Sequence, residues 1–384
     1  MKNQNLILVF ILFVVAGCGK NKQQADDLIS VDVTTNYPKK ELVLQDFMDV
    51  EYIALETTDE FLTQGLVRDV GKEYLLVTNR NNDGDIFLFD RKTGKGVRKI
   101  NRQGQGAEEY TRMNEVILDE GNGEIFVKSQ GNKILVYDPY GGFKRCLNLD
   151  REISSIFDYD KYNLICYDMS DYHSKGEDRS KSYHIIISKL DGSVTREIFI
   201  PFKTINTPIV ADGDRFVASY SYPIRLSHDT WTLVETSADT LYRYAPDGTL
   251  APFIARTPSV QTMQPEVFLY MGISTDRYHF MQTLKNVFNF EKGNGFYTDE
   301  LVYDKEEKAI FQVAVYNDDY AEKRTVAMTA KSINREIENA TSLNASRLVE
   351  IYKKGQLKDG KLKEIASKLD EEDNPVIMLV KQKK

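Results

Sequence analysis

An all-β fold, a six-bladed β-propeller of four-stranded antiparallel blades, is what this 384-residue sequence predicts. Three observations carry the prediction. A hairpin pattern recurs five times, further strand pairs separate the copies, and lone strand-like runs stand at the two ends of the chain.

The recurring pattern is an alternating apolar run, an Asp/Gly turn and a second alternating run. It reads "DIFLFDRKTGKGVRKI" from Asp85, "KILVYDPYGGFKRCLNL" from Lys133 and "HIIISKLDGSVTREIFI" from His184. "DTLYRYAPDGTLAPFI" from Asp239 follows, and "ELVYDKEEKAIFQVAV" from Glu300 is a weaker fifth copy. Period-two alternation broken by Asp-Gly or Gly-Gly marks a β-hairpin, because those residues accept the backbone angles of a tight turn. The copies begin roughly 50 to 60 residues apart, a spacing suited to propeller blades. In front of them stand, in order, "EYLLVTN", "NEVILDEGNGEIFVKS", "SSIFDYDKYNLICYD", "TPIVADGDRFVASYS" and "STDRYHFMQTL". Each unit thus supplies about four short strands, one blade.

The sixth blade is assembled from the ends. "VEYIALET" from Val50 and "NPVIMLVKQ" from Asn374 are expected to pair, which closes the ring and removes an open edge. One segment departs from the β pattern. In "KLKEIASKLDEED" the residues Leu362, Ile365, Ala366 and Leu369 share a helical face, and "SLNASRLVEIYKK" before it is helical in composition. A helical insertion is expected over about 342–370, its apolar face packed on the propeller.

The N-terminus has a different character. Lys2, the apolar run "LILVFILFVVAG" and Cys18 form a charged region, a short apolar region and small residues before a cleavage point. The run is too short for a membrane span, which needs roughly 20 apolar residues. "VAGC" resembles a bacterial lipobox, so residues 1–17 read as a signal peptide and Cys18 as the lipidated first residue of the mature chain. Acyl chains at about 0.8 kcal/mol per buried CH₂ anchor such a protein without a spanning helix. Residues 18–40 read as a lipidated flexible tether and 41–384 as the propeller. Gly19 is not the acidic residue expected of inner-membrane retention, so the outer membrane is the expected address, with the leaflet open.

A net charge of −8 with interspersed acids and bases, and no basic stripe, argues against nucleic acid as a partner. Cys146 and Cys166 lie in apolar strand-like runs and read as buried free thiols, a disulfide being the alternative. The four histidines, His173, His184, His228 and His279, are scattered without metal-ligand spacing, and no G-x-S-x-G or H-E-x-x-H occurs. Asp158, Asp160, Asp212 and Asp214 read as turn residues.

Three stretches imitate cofactor motifs. "RQGQGAEEY" has Gly104 and Gly106, but Glu109 fills the third glycine position of a dinucleotide fingerprint and a strand follows. "GQLKDGKL" from Gly355 offers Lys361 at P-loop spacing but Leu362 where a Ser or Thr must hold magnesium. "NRNNDGDIFLFD" from Asn79 lacks the first Asp and last Glu of a calcium loop. No cofactor is expected, and the two glycines of "RQGQGAEEY" are read as allowing positive φ or a tight crossing.

The lipobox, "GQGAEEY" and the closing "LDEEDNPVIMLVKQKK" resemble the six-bladed β-propeller lipoproteins of Gram-negative gut-type bacteria. The resemblance spans essentially the whole mature chain, with Ala107 where that family often carries Pro. It implies the fold and an envelope location. Its members are largely uncharacterised, and it supplies no catalytic residues.

The functional expectation is a membrane-anchored propeller that binds a peptide, glycan or partner protein at one mouth of its channel. The "RQGQGAEEY" stretch reads as the connection from blade one to blade two. Arg102, Gln103, Glu108, Glu109 and Tyr110 are therefore the candidate rim residues. A metal-dependent hydrolase of the lactonase type is the alternative, and a structural subunit of an envelope complex a third possibility.

Overall fold

The computed structural model describes residues 28–177, 182–219, 221–227 and 230–383. Its N-terminal segment carries β1 (Ile29–Asp32), β2 (Lys39–Val43), the single turn α1 (Leu44–Phe47) and β3 (Met48–Ala54). Blade one is β4 (Leu66–Val70), β5 (Tyr74–Thr78), β6 (Asp85–Asp90) and β7 (Gly96–Asn101). Blade two is β8 (Met113–Asp119), β9 (Glu124–Ser129), β10 (Lys133–Tyr137) and β11 (Phe143–Asn148). Blade three is β12 (Ile153–Asp158), β13 (Asn163–Asp168), β14 (His184–Ser188) and β15 (Val194–Ile198). A hairpin of β16 (Ile209–Asp212) and β17 (Arg215–Ala218) stands apart before blade four.

Blade four is β18 (Ile224–Ser227), β19 (Thr230–Leu233), β20 (Thr240–Tyr244) and β21 (Leu250–Thr257). Blade five is β22 (Val267–Ser274), β23 (Tyr278–Lys285), β26 (Thr298–Asp304) and β27 (Ala309–Tyr316), interrupted by a small hairpin, β24 (Phe288–Asn289) with β25 (Asn294–Gly295). Blade six has three strands, ordered β28 (Ile337–Leu343), β29 (Val376–Gln382), β3, with α2 (Ala345–Lys353) and α3 (Lys361–Ala366) inserted between its first two.

Each blade buries both faces, and six apolar clusters result, one at every blade-to-blade contact. Leu76, Ile86 and Leu88 of blade one meet Val116, Ile125 and Val127 of blade two in one of them. Ile53, Ile377 and Leu379 of blade six meet Leu75, Val77 and Phe87 of blade one in another, which closes the ring. At about 1.5–3 kcal/mol for each fully buried Val, Leu or Phe, these clusters carry the fold. They also explain why central strands such as "EIFVKS" are buried at every position. The pairing of "VEYIALET" with "NPVIMLVKQ" is present, with Ala54 opposite Val376 and Met48 opposite Gln382. The helical insertion packs as its pattern implies, with Leu362 and Ala366 buried in the cluster between blades five and six.

Some elements differ from the sequence reading. The tether over 18–40 is folded from Ile29 on: β1 lies parallel on β21, and β2 starts at Lys39 parallel on β27. The cause is the short alternation in "ISVD", which buries Ile29 and Val31 against blades four and five. "TPIVADGDRFVASYS" forms the separate hairpin, and the inner pair of blade four comes from residues just after it. Blade six gains β28, whose polar "IENATSL" gives no strand signal. Cys166 is a buried free thiol and Cys146 a half-buried one. Residues 1–17, Cys18 and His228 lie outside the described residues.

One topological feature positions the functional site. Ser342 at the end of β28 donates to Gly65 O just ahead of β4, whereas Asn334, before β28, donates to Val70 O at the end of β4. The inner strand of blade six therefore runs antiparallel to its neighbour. To begin it, the chain must travel from one end of the ring to the other, and it does so across the channel. Over residues 328–334 it meets the inner strands of all the other blades. Met328 O accepts from Ile273 N, Ala330 O from Arg225, Ser332 Oγ from Leu226 N, Lys331 reaches Glu115 and the ring of Phe157 in β12, and Asn334 reaches Val70.

Candidate functional site

The crossing segment is the floor of a cavity of about 810 Å³. Its walls are the ends of the first three inner strands with the turns that follow them: residues 68–74, 117–123 and 156–161. Residues 331–336, Pro139, Lys189 and Leu226 complete it. The cavity opens at the end of the ring where inner strands finish, opposite the end where blade-to-blade connections enter.

The turns are locked to one another. Glu120 of blade two accepts from the backbone N–H groups of Lys72 (2.7 Å), Glu73 (3.0 Å) and Tyr74 (2.9 Å) in blade one. A Cβ on Gly71 would strike that carboxylate, which accounts for the glycine. Asn122 donates to Lys161 O in blade three at 2.9 Å. Asx-type turns then set the local shape: Asp119 accepts from Asn122 N and Asp160 from Tyr162 N and Asn163 N.

Charged groups converge inside. Lys189 is buried with its ammonium 2.5 Å from Asp119 and 2.6 Å from Asp158. Lys331 lies 3.1 Å from Glu115 and 5.0 Å over the ring of Phe157. Glu115 also accepts from Ser155 N (2.8 Å) and Ile156 N (2.9 Å) in the bulge of β12, where Ser155 has a positive φ of 49°. Asp69 accepts from Val70 N and Leu118 N, each at 2.8 Å. Enclosure by protein pushes the Asp69 carboxyl up to about 7 against the pull of those two hydrogen bonds. Burial also raises Asp158, opposed by Lys189. Among the described residues no three His, Cys, Asp or Glu side chains form a metal-binding group.

The surface beside the mouth is apolar and aromatic. Tyr140, Tyr162 and Leu190 are 74%, 67% and 76% exposed, and each adjoins a residue of the cavity wall. Arg98 sits 4.4 Å from the Tyr140 ring centre and Lys161 5.4 Å from that of Tyr162. Tyr159 stands in the wall itself.

The five candidate rim residues lie on the connection from β7 to β8, and none lines this cavity. Tyr110 is fully buried, donates to Gly84 O at 2.7 Å, accepts from Arg102 N at 2.9 Å and meets Tyr137 edge-on. Arg102 donates to Gly141 O, Gln103 to Thr111 O and Asn82 O, and Glu109 accepts from Gly106 N. The main-chain oxygen of Glu108 accepts from Tyr137. Neither Gly104 nor Gly106 has positive φ; at Gly104 the backbone comes close to the movable Glu109 carboxylate, which a Cβ would displace. The closing "DNP" acts alike at the same end of the ring. Asn374 is buried, accepts from Thr63 N and donates to Glu56 O and Phe61 O, fastening the connection from blade six to blade one. The two described stretches that carry the family resemblance thus organise connections.

The histidines have structural places. His184 is buried against Pro223 O, and burial takes its pKa down to about 4. His279 is buried beside Ser274 and Phe253, and His173 packs edge-on to Phe216.

Sequence reasoning missed Asp69, Glu115, Asp119, Lys189 and Lys331, and it gave Asp158 only a turn role. A usable signal exists for three of them. "VRDVGKEY", "ILDEGNGE" and "IFDYDKY" each carry an acid at or next to the end of the blade's first strand. The two lysines carry no comparable mark.

One solved structure agrees with the architecture. A Bacteroides fragilis protein described as a "Putative exported protein" superposes with a TM-score of 0.59 at 18% identity, over 93% of this chain and 100% of that one. A member of the DUF4221 family from Bacteroides vulgatus gives a TM-score of 0.45 at 10% identity, over 88% and 99% of the two chains. No functionally curated protein matches the sequence. Residues 19–341 match the model of the DUF5128 family, described as a 6-bladed beta-propeller, and the chain belongs to that family.

Proposed function

We propose that this propeller is a binding protein of the cell envelope that takes part of a peptide, glycan or partner protein into the cavity at the strand-end mouth. The observation that carries the reading is a cavity of about 810 Å³, floored by a chain segment that crosses the channel and flanked by exposed Tyr140, Tyr162 and Leu190. Concave sites with apolar walls and a few convergent polar groups are where ligands bind, and exposed tyrosines suit sugar faces and peptide backbones. Envelope anchoring rests on the lipobox reading of Cys18, with residues before Leu28 as the tether. Metabolic labelling with a palmitate analogue tests it; Cys18→Ala is expected to abolish labelling and release the protein from membranes.

The binding test uses glycan and peptide arrays probed with the purified mature protein. A variant with Tyr140→Asp, Tyr162→Asp and Leu190→Asp, all exposed positions, is expected to lose array signals that Gln103→Ala with Glu109→Ala retains. The reverse result would move the site to the connection end. A hydrolase of the lactonase type is a second reading, favoured by the carboxylates of Asp69 and Asp158 on one cavity wall system. Stoichiometric metal in the purified protein, lost in Asp69→Asn with Asp158→Asn, would promote it.

A further inference from the structure

We infer that the cavity receives a positively charged group of its ligand, a primary ammonium or a guanidinium, and that Asp69 is the carboxylate that pairs with it. The inference rests on the cavity being the ligand site. Its first support is the state of Asp69. A carboxylate has about four acceptor positions; Asp69 uses two on backbone N–H groups, and among the described residues it forms no ion pair.

The second support is how the surrounding charges are committed. Lining the cavity with Asp69 are Arg68 on its own strand, Lys72 and Glu73 on the following turn, Asp119 on β8 and Glu120 beyond it. Asp158, Asp160 and Lys161 line it from blade three, Lys189 from the β14–β15 turn, and Lys331, Arg335 and Glu336 from the crossing segment. Lys331 is held by Glu115, and Lys189 is shared by Asp119 and Asp158. Arg68 is turned to Thr78 and to Asn114 O. Neither Lys189 nor Lys331 makes an ion pair with Asp69; Lys331 acts on it only at longer range, from its contact with Glu115, and Asp158 shares Lys189 with Asp119. A cation from outside fills that deficit; an anion meets carboxylates whose partners are already taken.

The third support lies at the mouth. Tyr140 and Tyr162 already hold Arg98 and Lys161 over their faces, so the approach to the cavity attracts cations by the same ring electrostatics. Because the Asp69 carboxyl titrates near 7, a cation must displace its proton. Binding therefore strengthens as pH rises from 6 to 8 and releases a proton.

The test compares two acetylated, amidated tripeptides, Tyr-Lys-Tyr and its counterpart with acetyl-lysine, titrated calorimetrically into the full mature chain. The lysine peptide is expected to bind roughly tenfold more tightly at pH 8. That advantage should shrink at pH 6, and its binding heat should depend on the ionisation heat of the buffer. Asp69→Asn should remove the advantage and leave the acetyl-lysine peptide unaffected; the pH dependence of the unmodified protein serves if that variant folds poorly. Equal binding of the two peptides, a charge preference that survives Asp69→Asn in a folded variant, or no binding of either overturns the inference. If the peptides bind equally but lose affinity in the Tyr162→Asp, Leu190→Asp variant, the cavity remains the ligand site and only the cation is wrong. If binding ignores the mouth as well, both fall.

Discussion

The two ends of the propeller differ in how their polar groups are satisfied. At the connection end, the β7–β8 loop and the segment before β4 consume their own hydrogen bonds: Tyr110 spans Gly84 and Arg102, and Asn374 ties down Thr63, Glu56 and Phe61. At the cavity end, acids and lysines from five segments meet around open space, and Asp69 forms no ion pair among the described residues. Buried polar groups that are satisfied locally stabilise a fold, whereas charges converging unevenly on a cavity with shifted pKa values mark a site. The more distinctive sequence motifs sit at the structural end, and the chemistry sits at the other.

Tyr110→Ala should break the connection end most severely. It removes a fully buried aromatic ring and two hydrogen bonds, so a loss of about 3–5 kcal/mol is expected in urea unfolding. Ligand binding by whatever variant remains folded should be unchanged. A large binding defect with little loss of stability would erase the distinction between the ends.

Lys189→Met attacks the cavity end. It leaves Asp119 buried without its cation, and breaking one side of a buried pair costs about 3 kcal/mol. The pH dependence sharpens this. The folded-state pKa of Asp158 is already raised, so what it contributes to stability is present at low pH and lost as pH rises through that value. Removing Lys189 raises it further. The variant should accordingly be closer to wild type at pH 5 than at pH 8, when unfolding midpoints are compared at both.

The fold was legible because outer hairpins alternate apolar and polar residues around Asp-Gly turns, a pattern that needs no tertiary context. It failed where burial is complete or the strand is short. "VFLYMGIS" of β22 is buried at all positions and shows no period, and "IRLS" of β18 is too brief to register. Those gaps led to the hairpin β16–β17 being read into blade four. The site was less legible for a different reason. Asp69, Glu115, Asp119, Asp158, Lys189 and Lys331 become neighbours only after the ring closes and the inverted sixth blade draws the crossing segment through the channel. No spacing in the chain encodes that meeting.

The smallest effects separate two glycines of the connection end. Gly84 has φ +86°, and a Cβ there would lie 2.6 Å from Cβ of Gln103. Gly84→Ala combines left-handed backbone strain, roughly 1–2 kcal/mol, with displacement of Gln103 and of the carbonyl that receives Tyr110. Gly104 has no such backbone requirement, and its Cβ would meet only the movable carboxylate of Glu109. Gly104→Ala should forfeit the exposed Glu109 to Gly106 hydrogen bond and cost about 1 kcal/mol or less. Thermal unfolding of the two variants is expected to rank Gly84→Ala well below Gly104→Ala, with array binding intact in both. A reversed order would mean that the tight approach of Gly104 to Glu109, rather than the Tyr110 anchor at Gly84, holds the connection in place.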